Sequence, residues 1–277
     1  MKRLFNIEEK YKKILVPKKD GSFRTVWAPD KHLKKVQRYV LKRLKFKTYV
    51  SPFATAYMRK SSTLKNALPH VCKKIVLKVD IKDFFGSISK ECVVRIFNIF
   101  GFADSFEIAK LCCLNDKLPQ GAPTSPVISN MICKNMDYRI WGFCQKREID
   151  YTRYSDDMAF SGNFDVPELL WFIRKVLAEN GFSINDKKTK VLKQQHQQKI
   201  TGVVVNEKPQ VEKKLRKQLR QEVYYIRKFG LASHFKKLGI ESRKGLYQLL
   251  GRVGYVLQTN PEDKEFTLYK DYLLELL

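Results

Sequence analysis

"RYSDDMAFSG", residues 153–162, contains two adjacent carboxylates, Asp156 and Asp157, between two short strand-like runs. Apolar and polar residues alternate on both sides of the pair, which predicts a tight β-hairpin with the acidic pair at its tip. Neighbouring carboxylates repel each other in the absence of a cation, because each negative charge disfavours the other. The pair is therefore either exposed on a loop or built to hold a metal ion.

A second stretch, "IVLKVDI" at residues 75–81, supplies a third carboxylate, Asp80. Its alternation predicts a strand that ends at Asp80, with this side chain on the face opposite the core. Adjacent antiparallel strands would bring Asp80 next to the hairpin tip. Converging carboxylates in a basic chain suit Mg²⁺, which takes oxygen ligands. A pair of ions fits best, one lowering the pKa of an attacking hydroxyl and one neutralising a leaving pyrophosphate.

Apolar spacing elsewhere predicts further elements around this site. A hairpin is expected about a turn at Asp20-Gly21, and a helix with Ser125 as N-cap and Pro126 as its first residue. Helices are predicted over 31–44, 89–100, 125–141 and 167–180, short strands near 182–184 and 200–205, and basic helices beyond 206. This order predicts an antiparallel sheet backed by helices, an α+β fold.

The charge balance of the chain is strongly positive. Its 277 residues include 54 Lys and Arg against 28 Asp and Glu, a formal charge of +26, in a globular composition that is 44% hydrophobic. Self-repulsion of this size favours nucleic acid as a partner over a merely solubilising surface or an anionic membrane. No apolar run approaches a signal peptide or a membrane span, which predicts a cytoplasmic protein without a membrane partner. The six cysteines lack the CxxC spacing of zinc and redox sites.

Four motifs, in this order and spacing, resemble those of reverse transcriptases. "YSDD" at 154–157 is similar to their YxDD box, and "VDIKDFF" at 79–85 to their first catalytic-aspartate motif. "LPQGAPTSPVISN" at 118–130 resembles the loop-and-helix motif between them, and "GFSINDKKTK" at 181–190 the motif that follows. The resemblance implies an RNA-directed DNA polymerase shaped as a right hand. Fingers and palm would occupy residues 1–205, and a helical, basic, RNA-binding thumb residues 206–277.

The resemblance also implies the metal-binding and catalytic residues. Asp80 and Asp156 would be the principal ligands of two Mg²⁺ ions, with Mn²⁺ as a substitute, and Asp157 would support them. The implied metal-binding positions are Asp80, Ile81, Asp156 and Asp157, and the implied catalytic positions are Asp80, Asp156, Asp157 and Lys188. Lys188 would protonate the departing pyrophosphate. The alternative for Lys188 is a merely exposed lysine.

A second implied set binds the incoming dNTP. Its members are Arg24, Lys19, Phe85, Gln120 and Gly121. Arg24 would grip the triphosphate with Lys18 or Lys19 nearby, and the alternative is a solvated charge on a hairpin. Phe85 would stack under the deoxyribose and exclude a 2′-OH. A plain core position is the alternative for one of the two neighbours Phe84 and Phe85.

Two smaller boxes narrow the resemblance to retron reverse transcriptases. "NALPH" at 66–70 matches their NAxxH box, and "ITG" at 200–202 resembles their VTG box, although a loop histidine and a strand-edge Thr-Gly pair are ordinary features. Ser155 stands where retrons more often carry Ala, a change from which no loss of chemistry is expected, and Ile200 replaces Val. The predicted RNA-binding positions are Asn66, His70, Thr201, Gly202, Lys213, Lys214, Arg216, Lys217 and Arg220, with Tyr224, Tyr225 and Phe229 as stacking or core residues.

The retron resemblance implies particular partners and a particular product. The enzyme would bind its own structured noncoding RNA, msr-msd, and prime DNA synthesis from the 2′-OH of a guanosine. The product would be a branched RNA–DNA molecule, msDNA, and a separately encoded effector protein would act with it in anti-phage defence. The alternatives are a compact group II intron-like or abortive-infection reverse transcriptase, and a non-catalytic RNA-binding protein with a degenerate polymerase fold. The intact Asp80, Asp156 and Asp157 argue against the last.

Overall fold

A computed structural model describes residues 6–18, 21–44 and 49–277 of the chain. The strands are Tyr11–Pro17 (β1), Phe23–Pro29 (β2), Ile75–Asp80 (β3), Asp150–Tyr154 (β4), Asp157–Gly162 (β5), Lys190–Lys193 (β6), Lys199–Ile200 (β7) and Val203–Val204 (β8). The helices are Lys31–Arg43 (α1), Thr63–Ala67 (α2), Lys90–Ile99 (α3), Ser105–Cys112 (α4), Ser125–Ile132 (α5), Lys134–Gln145 (α6), Val166–Glu179 (α7), Lys213–Phe229 (α8), Leu231–Lys237 (α9), Ser242–Thr259 (α10) and Lys264–Leu274 (α11).

These elements form two compact units. The first comprises the described residues up to Ser61 together with Leu77–Val191, and the second comprises Ser62–Val76 and Leu192–Leu277. The boundary predicted at residue 206 separates fingers and palm from a thumb, and it stays a prediction. The second unit begins earlier than that boundary, because α2 and the short strands β7 and β8 belong to it.

The first unit is built on a sheet with the strand order β4-β5-β3-β6. β4 and β5 pair antiparallel, with Asp150 opposite Ser161 and Tyr154 opposite Asp157. A continuous apolar core joins Leu77 of β3 and Phe160 of β5 to the inner faces of α3, α6 and α7. The predicted antiparallel sheet backed by helices, and thus the α+β class, is confirmed. The strand β3 is covered on both faces, so Asp80 is nearly buried rather than set on an open face.

The first hairpin has the predicted antiparallel form. β1 pairs with β2 from Tyr11 opposite Pro29 to Pro17 opposite Phe23, and Asp20 of the predicted turn lies outside the described residues. Trp27 in β2 donates its backbone N–H to the Gln120 carbonyl oxygen at 2.7 Å. The hairpin is therefore fastened to the loop that precedes α5.

Three details of the predicted elements are wrong. The helix predicted over 125–141 is two helices, α5 and α6, interrupted at Cys133. Ser125 is not the N-cap, because Thr124 precedes the helix and the Ser125 hydroxyl instead donates to the Pro119 carbonyl oxygen at 2.7 Å. The strand near 182–184 reduces to one bridge between Ile184 and Ile81, and the strand β6 that follows it was not predicted.

The second unit has a core of its own. The helices α8, α10 and α11 enclose buried residues that include Leu219, Leu249 and Phe266. The helices predicted beyond residue 206 are present as α8 to α11, and Gln210 forms an isolated bridge with Val204 ahead of them. None of the described helices is both long and apolar enough to cross a membrane.

Candidate active site

The hairpin tip carries the acidic pair in two different settings. Ser155 and Asp156 form a two-residue turn between β4 and β5, and Asp157 is the first residue of β5, paired with Tyr154. Ser155 has a φ of 62°, the positive value that two-residue hairpin turns favour. The Asp156 carbonyl oxygen accepts a hydrogen bond from Ile81 N–H at 2.9 Å. This bond fixes the end of β3 against the turn. Asp156 lies in the turn, as predicted, whereas Asp157, also predicted at the tip, belongs to β5.

Asp80 is enclosed by the segment that follows α7. Its Oδ2 accepts from Lys188 Nζ at 2.9 Å, and its Oδ1 accepts from Asn185 Nδ2 at 3.0 Å. The Asn185 backbone N–H also donates to the Asp80 carbonyl oxygen at 2.8 Å. Lys188 itself is largely exposed, so its ammonium group connects the buried carboxylate to solvent. The structure thus brings Lys188 to Asp80, and it adds Asn185, which sequence reasoning missed.

The three carboxylates interact electrostatically. Burial raises the pKa of the Asp156 carboxyl, Asp80 raises it further, and Lys188 and Arg24 oppose the rise. Burial likewise raises the pKa of Asp157, with Asp156 as the next cause. The hydrogen bond to Asp80 raises the pKa of Lys188 and keeps it protonated. The two carboxylates at the hairpin tip are therefore costly to ionise without a counter-charge, and a nearby cation would stabilise their ionised form.

The chemistry of this donor set fits a hard divalent ion. Carboxylate oxygens are the ligands that Mg²⁺ takes, with water and substrate phosphates completing its shell. Ile81 is buried, so only its backbone carbonyl oxygen is suited to the predicted metal contact. Within the described residues, no three His, Cys, Asp or Glu side chains form a ligand cluster by themselves. Asp80 faces Lys188 and Asn185, so an ion bound by Asp80 would replace Lys188 as the counter-charge.

The predicted nucleotide-binding residues lie on three neighbouring pieces of the first unit. Arg24 is exposed on β2 and lies close enough to Asp156 to lower the pKa of that carboxyl. Gly121 has a φ of 124°, and a Cβ atom there would lie 2.6 Å from the Trp27 carbonyl oxygen. Only glycine lets the loop with Gln120 approach β2 so closely. Lys19 lies outside the described residues.

The structure distinguishes Phe84 from Phe85, one of which was expected to be a plain core position. Phe84 is buried in the core and stacks near Phe182, with ring centroids 5.7 Å apart. Phe85 is half-buried and packs against that core from its edge. The plain core position is therefore Phe84, and Phe85 has the accessible ring.

A buried ion pair supports the turn from below, and the sequence did not reveal it. Arg153 in β4 is fully buried and forms a bidentate pair with Asp137 of α6, at 2.8 and 2.7 Å. The same guanidinium donates through Nη1 to the Ser155 carbonyl oxygen at 3.0 Å. Tyr151 and Ser51 complete the set by donating to Asp137 at 2.9 and 2.5 Å. An arginine inside an apolar strand was the available signal, because a buried charge needs a partner.

The two retron-like boxes meet inside the second unit. Asn66 Nδ2 donates to Thr201 Oγ1 at 3.3 Å, and Thr201 Oγ1 donates to the Thr63 carbonyl oxygen at 3.1 Å. Asn66 and His70 are buried, and burial lowers the pKa of His70 to about 3, so its ring is neutral. Both side chains are buried, so RNA contact by Asn66 and His70 stays a prediction. Thr201 and Gly202 form a partly exposed turn, and Asn66 is hydrogen-bonded to Thr201 in that turn.

The predicted cations of α8 differ in availability. Arg220 forms a bidentate pair with Glu265 at 2.6 and 2.7 Å, and Arg216 pairs with Asp263 and lies over the Phe266 ring. The three predicted lysines of this helix, Lys213, Lys214 and Lys217, are exposed. The two arginines therefore join α8 to α11, which explains their position without RNA. Farther along the helix, exposed rings are presented by Tyr224, Tyr225 and Phe229, so the core alternative for them is wrong.

Known proteins share this sequence and fold. Residues 16–205 match the family model for reverse transcriptase (RNA-dependent DNA polymerase). The chain is 34% identical to Retron Ec86 reverse transcriptase of Escherichia coli, over 80% of this chain and 72% of that protein. It is 31% identical to Retron Mx65 reverse transcriptase of Myxococcus xanthus, over 92% of this chain and 62% of that protein. Telomerase from Candida albicans is similar in fold, with a TM-score of 0.51 at 13% identity, over 96% of this chain and 55% of that one.

Proposed function

Because the chain belongs to the retron reverse transcriptases, which are RNA-directed DNA polymerases, we propose that it copies part of its own structured noncoding RNA into msDNA. Synthesis begins from the 2′-OH of a guanosine, so the product is a branched RNA–DNA molecule. The structural observation that supports the retron assignment is the hydrogen bond between Asn66 and Thr201. This bond directly connects the NAxxH-like box to the VTG-like box. The polymerase part rests on the hydrogen-bonded ends of β3 and the YSDD turn.

The reaction assigns a task to each group around the turn. Asp80, Asp156 and Asp157 hold the divalent ions that the family uses, most simply two Mg²⁺. When bound, the ions activate the attacking hydroxyl and neutralise the leaving pyrophosphate. Burial raises the pKa of Asp156 and of Asp157, and the neighbouring carboxylates raise both further, so a bound cation would offset the cost of their negative charges. Lys188 is protonated, and its exposed ammonium can give a proton to pyrophosphate.

The dNTP lies between the hairpin and the loop before α5. Arg24 holds the triphosphate, since its guanidinium is exposed and already acts on Asp156. Gln120 and Gly121 line the nucleotide and the template, where the glycine allows close approach of the backbone. Phe85 is the steric gate against a 2′-OH, because its ring is accessible while Phe84 is committed to the core.

RNA binding falls to the exposed side of α8. Lys213, Lys214 and Lys217 supply charges for phosphates, and Tyr224 and Phe229 supply rings on which unpaired bases can stack. Lys228 lies 5.3 Å from the Phe229 ring centroid, so cation and ring share one patch. The turn at Thr201 and Gly202 adds a partly exposed edge to the same unit.

Replacing Lys213, Lys214 and Lys217 by glutamine is expected to weaken binding to a generic RNA duplex. Each lysine that neutralises a phosphate releases a counterion, so the slope of log affinity against log salt should fall by about 2 to 3. The measurement is RNA affinity across a salt series. Arg220→Gln is the matched control and should leave the slope unchanged, because this guanidinium is paired with Glu265. Equal slopes for the triple variant and the parent would remove these lysines from the RNA site.

The retron assignment is tested by sequencing the nucleic acid that copurifies with the expressed protein and its neighbouring genomic RNA. The expected product is cDNA joined to RNA through a guanosine 2′-OH, seen as a debranching-sensitive species. Only linear, unlinked RNA and cDNA from an active enzyme would contradict it and favour a group II intron-like or abortive-infection enzyme.

We further propose that a separately encoded effector protein acts with this enzyme in anti-phage defence. A phage challenge of cells that carry the enzyme with and without its catalytic aspartates tests this role. Absence of polymerase activity would favour a non-catalytic RNA-binding protein.

A further inference from the structure

The chain segment before the second unit runs alongside β4 and reaches the catalytic turn. Arg153 N–H donates to the Phe53 carbonyl oxygen at 2.8 Å, and Thr55 N–H donates to the Arg153 carbonyl oxygen at 2.8 Å. These bonds add Ala54 as a parallel neighbour of Arg153. Tyr57, two residues after Thr55, has a φ of 64°, which turns the chain toward the tip of the hairpin.

Tyr57 is hydrogen-bonded to the residue that begins the turn. Its hydroxyl donates to Ser155 Oγ at 3.0 Å. Ser155 is 5% exposed, whereas Tyr57 is 45% exposed. From the other side, Arg153 Nη1 donates to the Ser155 carbonyl oxygen at 3.0 Å. Ser155 is therefore held by its backbone from the core and by its side chain from the surface.

The ring of Tyr57 lies beside the groups proposed to perform the chemistry. Burial raises the pKa of Tyr57, Asp156 raises it further, and Arg24 opposes the rise. The hydroxyl is therefore protonated at neutral pH and available as a donor to Ser155. Asp156 directly follows Ser155 in the chain, so the Tyr57 hydroxyl is bonded to the residue next to this carboxylate.

We propose that Tyr57 is a positioning residue of the polymerase site, which acts through Ser155 to fix the turn that carries Asp156. The hydroxyl sets the orientation of the turn, and the half-exposed ring stays accessible beside it. The inference rests on the proposed role of Asp156 in nucleotidyl transfer.

The test is steady-state DNA synthesis by the full chain on an RNA template with a DNA primer. Tyr57→Phe and Ser155→Ala should each lower kcat by about 3- to 10-fold, the effect of one lost hydrogen bond. The double variant should be no slower than the slower single variant, because both changes remove the same bond. The KM for dNTP should stay within about twofold, since the ring and Arg24 remain. Tyr39→Phe, an exposed tyrosine on α1, is the matched control and should match the parent.

Thermal unfolding separates positioning from a structural role. The unfolding midpoints of Tyr57→Phe and Ser155→Ala should stay within about 5 °C of that of the parent, so both variants remain folded at the assay temperature. Losses in kcat that multiply in the double variant, or single variants as fast as the parent, would overturn the inference. A lowered unfolding midpoint that accounts for the lost activity would also overturn it. Asp156→Ala in the same assay keeps the two proposals apart: if it stays active, the proposed mechanism fails, whereas a normal Tyr57→Phe beside an inactive Asp156→Ala rejects this inference alone.

Discussion

Replacing Asp156 and Asp157 together by alanine is expected to abolish DNA synthesis on an RNA template while RNA affinity stays at the parent value. The change removes two of the three carboxylates proposed to hold the ions, so the loss should be at least about 10³-fold. RNA affinity should persist, because the basic side chains of α8 belong to the other compact unit. Primer extension and RNA binding by the same preparation are the two measurements.

The stability of this double variant provides an internal check. Both carboxyls have raised pKa values in the folded chain, so their negative charges are less favourable there than in the unfolded chain. Removing them should leave the free energy of unfolding near neutral pH unchanged or higher. The matched control is Glu8→Ala with Glu9→Ala, an exposed adjacent acidic pair whose loss should not affect synthesis. Synthesis that survives in the Asp156 and Asp157 variant would sink the proposed mechanism.

The second large effect is on folding and concerns Asp137. Replacing it by alanine leaves the Arg153 guanidinium buried without its counter-charge and takes the acceptor away from Tyr151 and Ser51. Breaking a buried ion pair from one side typically costs about 3–5 kcal/mol of unfolding free energy. Chemical denaturation followed by a spectroscopic signal measures that free energy.

The control for Asp137 is an ion pair on the surface. Glu107 and Lys110 of α4 are exposed and 2.8 Å apart, so Glu107→Ala should change the free energy of unfolding by no more than about 0.5 kcal/mol. A similar small effect for Asp137→Ala would show that Arg153 finds another partner or water. It would also remove this pair as the support of the catalytic turn.

The alternating apolar patterns and the turn residues were sufficient to predict the strands and helices around the candidate site. β3, the β4–β5 hairpin and α7 have the predicted types, because each pattern is local and each turn follows from residues beside it. The break at Cys133 was not predictable in this way, since both α5 and α6 continue the same apolar spacing. The strand expected near 182–184 is absent because a single bridge, between Ile81 and Ile184, forms there.

Motifs were sufficient to propose the residues of the candidate site, whose catalytic role stays a prediction, but not the residues that surround them. Asp80 and Asp156 were identified by order and spacing, yet the pairing of Asp80 with Lys188 joins residues far apart in sequence. The buried ion pair depends on Asp137 lying on α6, which no local pattern near Arg153 indicates. Burial of Asn66 was missed for the same reason, because the strands that cover it come much later in the chain.

The close packing at Gly121 has a consequence for movement. Trp27 N–H is bonded to the Gln120 carbonyl oxygen, and there is no space for even a methyl group between Gly121 and the Trp27 carbonyl oxygen. A hinge between the hairpin and this loop would have to break that bond and open that contact at once. Arg24 and Gln120 are therefore expected to move as one rigid body. A movement of the β1–β2 hairpin toward a triphosphate would also move the loop before α5.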